Sequence, residues 1–157
     1  MKKIIVLLSA SLLISLMGFT QTITPDKVPA SVKQAFEKKY PAATDVTYGM
    51  EKKDYKVSFK DKEVAMSANF TARGVWLETE TGINETELPK KVSKSIAKNF
   101  AGYTISELTK VENPNKVINY EMVLKKDKVG YEVKFSPKGD ILKRTQLKKE
   151  KEEGKMG

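Results

Sequence analysis

A chain of 157 residues with 31% charged and 8% aromatic side chains can bury a sizeable core and is not composed like a disordered protein. It has no Cys and no His, which excludes disulfides, thiol nucleophiles and Cys-based metal centres, and removes the commonest general base and metal ligand. The net charge of +9 is a mild basic excess with both signs interspersed, favouring anionic surfaces weakly and not marking a nucleic-acid binder.

Residues 1–20 read as an export signal. Lys2 and Lys3 precede a 14-residue apolar run from Ile4 to Met17, and Gly18 and Thr20 supply the small or polar residues that follow. The run is shorter than the roughly 20 residues of a membrane span. Cleavage near Thr20 or Gln21 is therefore expected to leave a periplasmic or secreted chain with no membrane span, no lipobox cysteine and a net charge of +7.

Residues 22–28 form a polar lead-in, and a helix is expected over 29–40. Val32, Ala35, Phe36 and Tyr40 share one face at helical spacing, Val28 can staple onto Val32, and Pro41 stops the helix. Period-two alternation then predicts strands over 44–51, 55–60, 63–71 and 75–81, with Tyr55, Val57, Phe59, Val64, Met66, Ala68 and Phe70 turned inward. A linker over 82–87 leads to a second helix, 89–100, carrying Val92, Ile96 and Phe100, and Ala101-Gly102 ends it. Further strands are expected over 105–112, 117–125, 128–136 and 141–147, followed by a charged, frayed tail at 148–157.

The second half echoes the first. Leu88-Pro89 repeats Val28-Pro29 at 60 positions, and Tyr120 to Phe135 repeats Tyr55 to Phe70 at 65, so five residues are added between, at the turn around Asn113-Pro114-Asn115. The hairpin Phe70-Thr71-Ala72-Arg73-Gly74-Val75-Trp76-Leu77 returns as Phe135-Ser136-Pro137-Lys138-Gly139-Asp140-Ile141-Leu142. Such self-similarity means one supersecondary unit used twice, here at 25–82 and 83–147. The expected fold is α+β: two tandem helix-plus-four-strand repeats forming one antiparallel eight-stranded sheet with both helices on one face.

The export signal, the paired (Val/Leu)-Pro-x-x-Val helices ending in an aromatic, and Phe-x-x-x-Gly-x-(Trp/Ile)-Leu after an alternating strand resemble the PepSY-like family of exported bacterial proteins, over about residues 25–147. That family's fold is similar to the β-lactamase inhibitory protein. The resemblance implies a non-enzymatic module. PepSY domains proper have been suggested to restrain peptidases, and the inhibitory fold grips an enzyme with the open face of its sheet. No motif carries over an inhibitory loop residue by residue.

Candidate binding residues come from the alternation. If Leu77 faces the helices, Trp76 and its equivalent Ile141 point to the open face, where Lys56, Ser58, Ser67, Asn69 and Glu78 surround Trp76. Glu78, Glu80, Glu85 and Glu87 lack the spacing of a calcium loop, so no metal and no cofactor are expected. The basic group Lys143, Arg144, Lys148, Lys149, Lys151 and Lys155 could touch an anionic polymer, but Glu150, Glu152 and Glu153 dilute it. No nucleophile with a base, phosphate loop or paired-carboxylate motif is present, so an enzyme is not expected. The reading is an exported module that binds an unknown protein or peptide through its sheet, an inhibitor or regulator of an extracytoplasmic enzyme. The alternative is an envelope accessory that binds an anionic polymer or small ligand through its basic surface. Neither involves nucleic acid.

Overall fold

The computed structural model describes residues 21–147. The export-signal and charged-tail readings fall on residues 1–20 and 148–157 and lie outside the described residues. In chain order the elements are β1 (Gln21–Ile23), α1 (Ala30–Lys39), β2 (Thr44–Glu51), β3 (Asp54–Asp61), β4 (Val64–Phe70), β5 (Trp76–Gly82), α2 (Lys90–Asn99), β6 (Thr104–Glu112), β7 (Ile118–Lys126), β8 (Val129–Phe135) and β9 (Ile141–Gln146). The strands form one antiparallel sheet in sequential order from β1 to β9.

The sheet has nine strands, not the eight expected. Gln21–Ile23 pairs with β2, Thr22 opposite Gly49, and Ile23 joins the core of the first unit. Three residues are too few for an alternation to show in sequence. The pairing caps the backbone groups that β2 would otherwise leave open at the edge.

Each unit has its own core. Val32 and Phe36 of α1 pack on Val57, Phe59, Ala68 and Phe70, with Phe36 edge-on to Phe59 at 5.0 Å. Val92 of α2, with Phe100 just beyond the helix, packs on Tyr120, Met122, Leu124, Val133 and Phe135. The row Met66–Thr81–Lys110–Tyr120–Phe135 crosses from one unit to the other in continuous register. Its ends belong to the two cores, so both helices cover the same face. Burying an aromatic such as Phe70 or Phe135 contributes about 2–3 kcal/mol, so the repeated aromatics dominate both cores.

The pair Met50–Tyr55 in the first unit corresponds to Lys110–Tyr120 in the second. All five extra residues therefore lie in the β6–β7 hairpin end. There the Asn113 side-chain carbonyl accepts from the Asn115 and Val117 amides, both at 3.0 Å.

The hairpin glycines tie each sheet to its helix. Gly74 and Gly139 have φ of +78° and +87°, and a Cβ on either would collide with a backbone carbonyl in the first turn of the helix, that of Ser31 or Lys91. The Ser31 hydroxyl adds a bond to the Ala72 carbonyl at 2.8 Å.

A β-bulge changes the expected orientation of Trp76. In β5, Glu78 pairs with Asn69 but Trp76 pairs with Phe70, so Leu77 is an extra residue. The bulge returns Trp76 to the helix-covered side. Trp76 packs against the first core, its Nε1 donates to Thr79 Oγ1 at 2.9 Å, and Lys39 Nζ sits 3.6 Å over the ring. Tyr40 shares the same threonine hydroxyl. Ile141 follows suit, because it pairs with Phe135 while Lys143 pairs with Lys134. Neither residue belongs to the open face.

Candidate protein-binding face

The face without helices carries the alternate residues of every strand. Register sets two rows side by side in the first unit: Lys56, Asn69 and Glu78, then Ser58, Ser67 and Glu80. Five of the expected residues, Lys56, Ser58, Ser67, Asn69 and Glu78, are thus brought together, while Trp76 and Ile141 stand on the opposite side. Across the β5–β6 seam the rows continue with Val111, Thr109 and Glu107, then Glu121 and Val123, then Lys134 and Glu132.

Although no described helix covers it, this face is partly dry. Lys56 is 2%, Val111 3% and Val123 0% exposed, and none of them belongs to either helix-side core.

Most charges here are neutralised in pairs. Lys56 Nζ reaches Glu80 at 3.0 Å and Glu51 at 3.8 Å, and Ser67 Oγ donates to Glu80 at 3.1 Å. Asn69 Nδ2 donates to Glu78 at 3.0 Å. Lys60 pairs with Asp45 at 2.8 Å and Lys134 with Glu121 at 2.7 Å. Glu107 and Glu132 have no ion pair within 4 Å among the described residues, and Glu132 Oε1 is buried without a hydrogen-bond partner.

Burial pushes the Glu51, Glu107 and Glu132 carboxyls above their ordinary range. Lys56, Lys125 and Lys143 respectively pull them back, while nearby carboxylates raise them further. Their charged forms are therefore disfavoured in the folded state relative to the unfolded chain. At Glu132 the folded state takes up the proton first as pH falls, so the destabilisation is fully present above its folded pKa and disappears as pH drops toward about 4.5. Glu132→Gln should raise stability at pH 7, by less than about 1 kcal/mol because solvent screens the site. That gain should be gone at pH 4, which thermal unfolding at the two pH values will read.

A cleft of about 240 Å3 opens at the β5–β6 seam. Small residues lower its floor: Ala65, Ser67, Gly82 and Thr109. Carboxylates from both units wall it: Asp45, Glu80, Glu107, Glu121 and Glu132. Sequence reading missed this second-unit half of the face, because alternation in β7 and β8 marked which residues face outward but not that they lie beside the first unit across a seam.

Among the described residues, no group of three or more carboxylates is arranged to hold a metal ion. Glu78 and Glu80 are on the open face, whereas Glu85 and Glu87 form a short 3-10 turn ahead of α2, Glu87 accepting from the Asn84 amide at 2.8 Å. No described helix is long and apolar enough to cross a membrane. Arg144 is in β9, stacked 4.0 Å from the Tyr131 ring.

A family model described as "Putative beta-lactamase-inhibitor-like, PepSY-like" matches residues 19–67 and again 53–143. The chain belongs to the PepSY-like family. The double match fits the helix-plus-strand unit written twice. Solved structures share the fold of this PepSY-like chain. A protein of Bacteroides eggerthii, described as a "putative periplasmic" protein, is 24% identical with a TM-score of 0.72, over 76% of this chain and 88% of that one. A DUF2874 family protein of Bacteroides uniformis is 22% identical at TM-score 0.71, over 75% and 88%. A BLIP-like protein of Bacteroides fragilis is 20% identical at TM-score 0.67, over 79% and 90%. No curated protein matches the chain.

Proposed function

We propose that this PepSY-like chain is an exported, non-enzymatic protein-binding module whose uncovered sheet face grips its partner, restraining or regulating an extracytoplasmic enzyme. One observation carries the reading: the uncovered face keeps Lys56, Val111 and Val123 buried and leaves Glu132 Oε1 buried without a hydrogen-bond partner among the described residues. The family's inhibitor-like description supports it. The signal-like residues 1–20 and the periplasmic description of the Bacteroides eggerthii structure support export. In this reading the binding residues are Lys56, Ser58, Ser67, Asn69 and Glu78, with Glu80 beside them, extended across the seam to Thr109 and Glu107. Trp76 and Ile141 are left out because the bulges take them to the other side.

A second reading, an envelope accessory that binds an anionic polymer, draws on the helices. α2 carries Lys90, Lys91, Lys94 and Lys98 and no acidic residue, and α1 adds Lys33, Lys38 and Lys39 against Glu37. Binding of that kind should weaken steeply with ionic strength.

Site-specific photocrosslinking in exporting cells tests the two. A crosslinker at Ser67 or Thr109 is expected to trap one protein partner, and one at Lys94 or Lys98 is not. Trp76→Ala should leave the Ser67 crosslink intact. Trapping from the helix positions alone would overturn the reading, and N-terminal sequencing of the exported chain should find a start near Thr20 or Gln21.

A further inference from the structure

We infer that the seam cleft receives a single lysine or arginine side chain from a partner protein, its charge held by Glu107 and Glu132 and its aliphatic stem laid on Ala65, Gly82 and Thr109. The inference rests on the sheet-face reading above and specifies what the partner must present.

The seam is open because β5 and β6 pair only from Thr79–Glu112 to Gly82–Thr109. Its floor is low because those positions are small. A Cβ at Gly82 would already sit 3.4 Å from the Ala65 carbonyl. The cleft, about 240 Å3, has room for a long unbranched side chain.

Charge complementarity selects the occupant. Asp45, Glu80 and Glu121 on the cleft wall are already satisfied by Lys60, Lys56 and Lys134. What remains is a pair: Glu107 and Glu132 stand opposite the same residue, the fully buried Val123, on its two sides. Lys125 and Lys143 soften their charge without reaching ion-pair distance. The buried Glu132 Oε1 accepts no hydrogen bond among the described residues. A bound cation would supply the missing donor and remove the repulsion between the two carboxylates.

Two carboxylates flanking a valine are too few for a metal ion, which agrees with the lack of any metal-holding group among the described residues. They also suit one cation, not the several of a polyamine. A fork of N–H donors on an apolar stem matches both carboxylates and floor.

The test is an amide-resolved NMR titration of the whole chain at low ionic strength with the peptide acetyl-Gly-Arg-Gly-amide, its citrulline analogue and spermidine. The arginine peptide should shift Gly82, Thr109 and Val123 saturably, and the isosteric uncharged citrulline peptide should bind about tenfold more weakly or worse. Glu107→Gln with Glu132→Gln should lose a similar factor while the spectrum stays dispersed. Thr109→Trp, or Ala65→Leu if the first variant fails to fold, should block the cleft without altering charge. Equal binding of the citrulline peptide, tighter binding of spermidine, saturable shifts confined to other regions, or indifference to the glutamine pair would overturn the inference. The sheet-face reading survives any of these if Thr109→Trp, or Ala65→Leu in its place, still abolishes the Ser67 photocrosslink, and falls if that crosslink never forms.

Discussion

Replacing Lys56 with methionine should destabilise the protein by about 3 kcal/mol. The lysine is almost wholly buried on a face without helices, and it is the cation between Glu51 and Glu80, which are 16% and 22% exposed. Methionine fills the space of the stem but removes the charge, so both carboxylates lose their counter-ion where water cannot fully replace it. Glu51, already raised by burial and held down by Lys56, should rise further. Among the described residues, Ser67 would then be the one remaining hydrogen-bond donor to Glu80. Adding Glu80→Gln should recover part of the loss, because breaking one side of a buried pair is worse than removing both charges. Urea unfolding of the two variants, with midpoints shifted at unchanged slope, will measure this. A change below about 0.5 kcal/mol for Lys56→Met would mean that the face is far wetter than its geometry implies.

The second large effect is expected at the hairpin glycines. Gly74→Ala and Gly139→Ala should each cost about 3 kcal/mol or more, combining strain at positive φ with a collision against the Ser31 or Lys91 carbonyl. The hairpin tip would have to lift off the first turn of the helix, loosening the element that positions Val32 or Val92 in its core. Gly102→Ala separates the two contributions. Its φ is +79°, but the nearest obstacle is the flexible end of Lys126, so the φ term alone remains, about 1 kcal/mol. Thermal or urea unfolding of the three variants should therefore rank Gly102→Ala mildest. Equal losses at all three sites would show that helix contact adds nothing.

These glycines explain why the repeated phrase is legible at all. Phe70 and Phe135 anchor the sheet end, and four residues later Gly74 and Gly139 pass under a helix backbone where a side chain cannot fit. Spacing preserved across 65 positions reflects one steric requirement met twice. The inward aromatics were equally readable: Tyr40, Tyr55, Phe59 and Phe70 line one core and Phe100, Tyr120, Tyr131 and Phe135 the other.

Trp76 shows where alternation fails. A period-two rule counts residues and presumes a regular strand, and one extra residue at Leu77 reverses the side on which Trp76 emerges. Nothing in Val75-Trp76-Leu77 marks the bulge, because all three residues are apolar. The same shift at Leu142 moves Ile141.

The amino-acid sequence by itself determined the duplicated helix-and-strand unit, the inward faces of β3, β4, β7 and β8, the extra hairpin residues around Asn113, and the absence of cysteine and histidine chemistry. These follow from local periodicity and composition, which are properties of short stretches. Only the tertiary structure decided that β1 completes the edge, that the bulges turn Trp76 and Ile141 to the helix-covered side, and that Glu107 and Glu132 line one cleft with small residues of the first unit across the β5–β6 seam. Those outcomes depend on pairing between segments far apart in the chain, where register and desolvation are set by partners that no local pattern names.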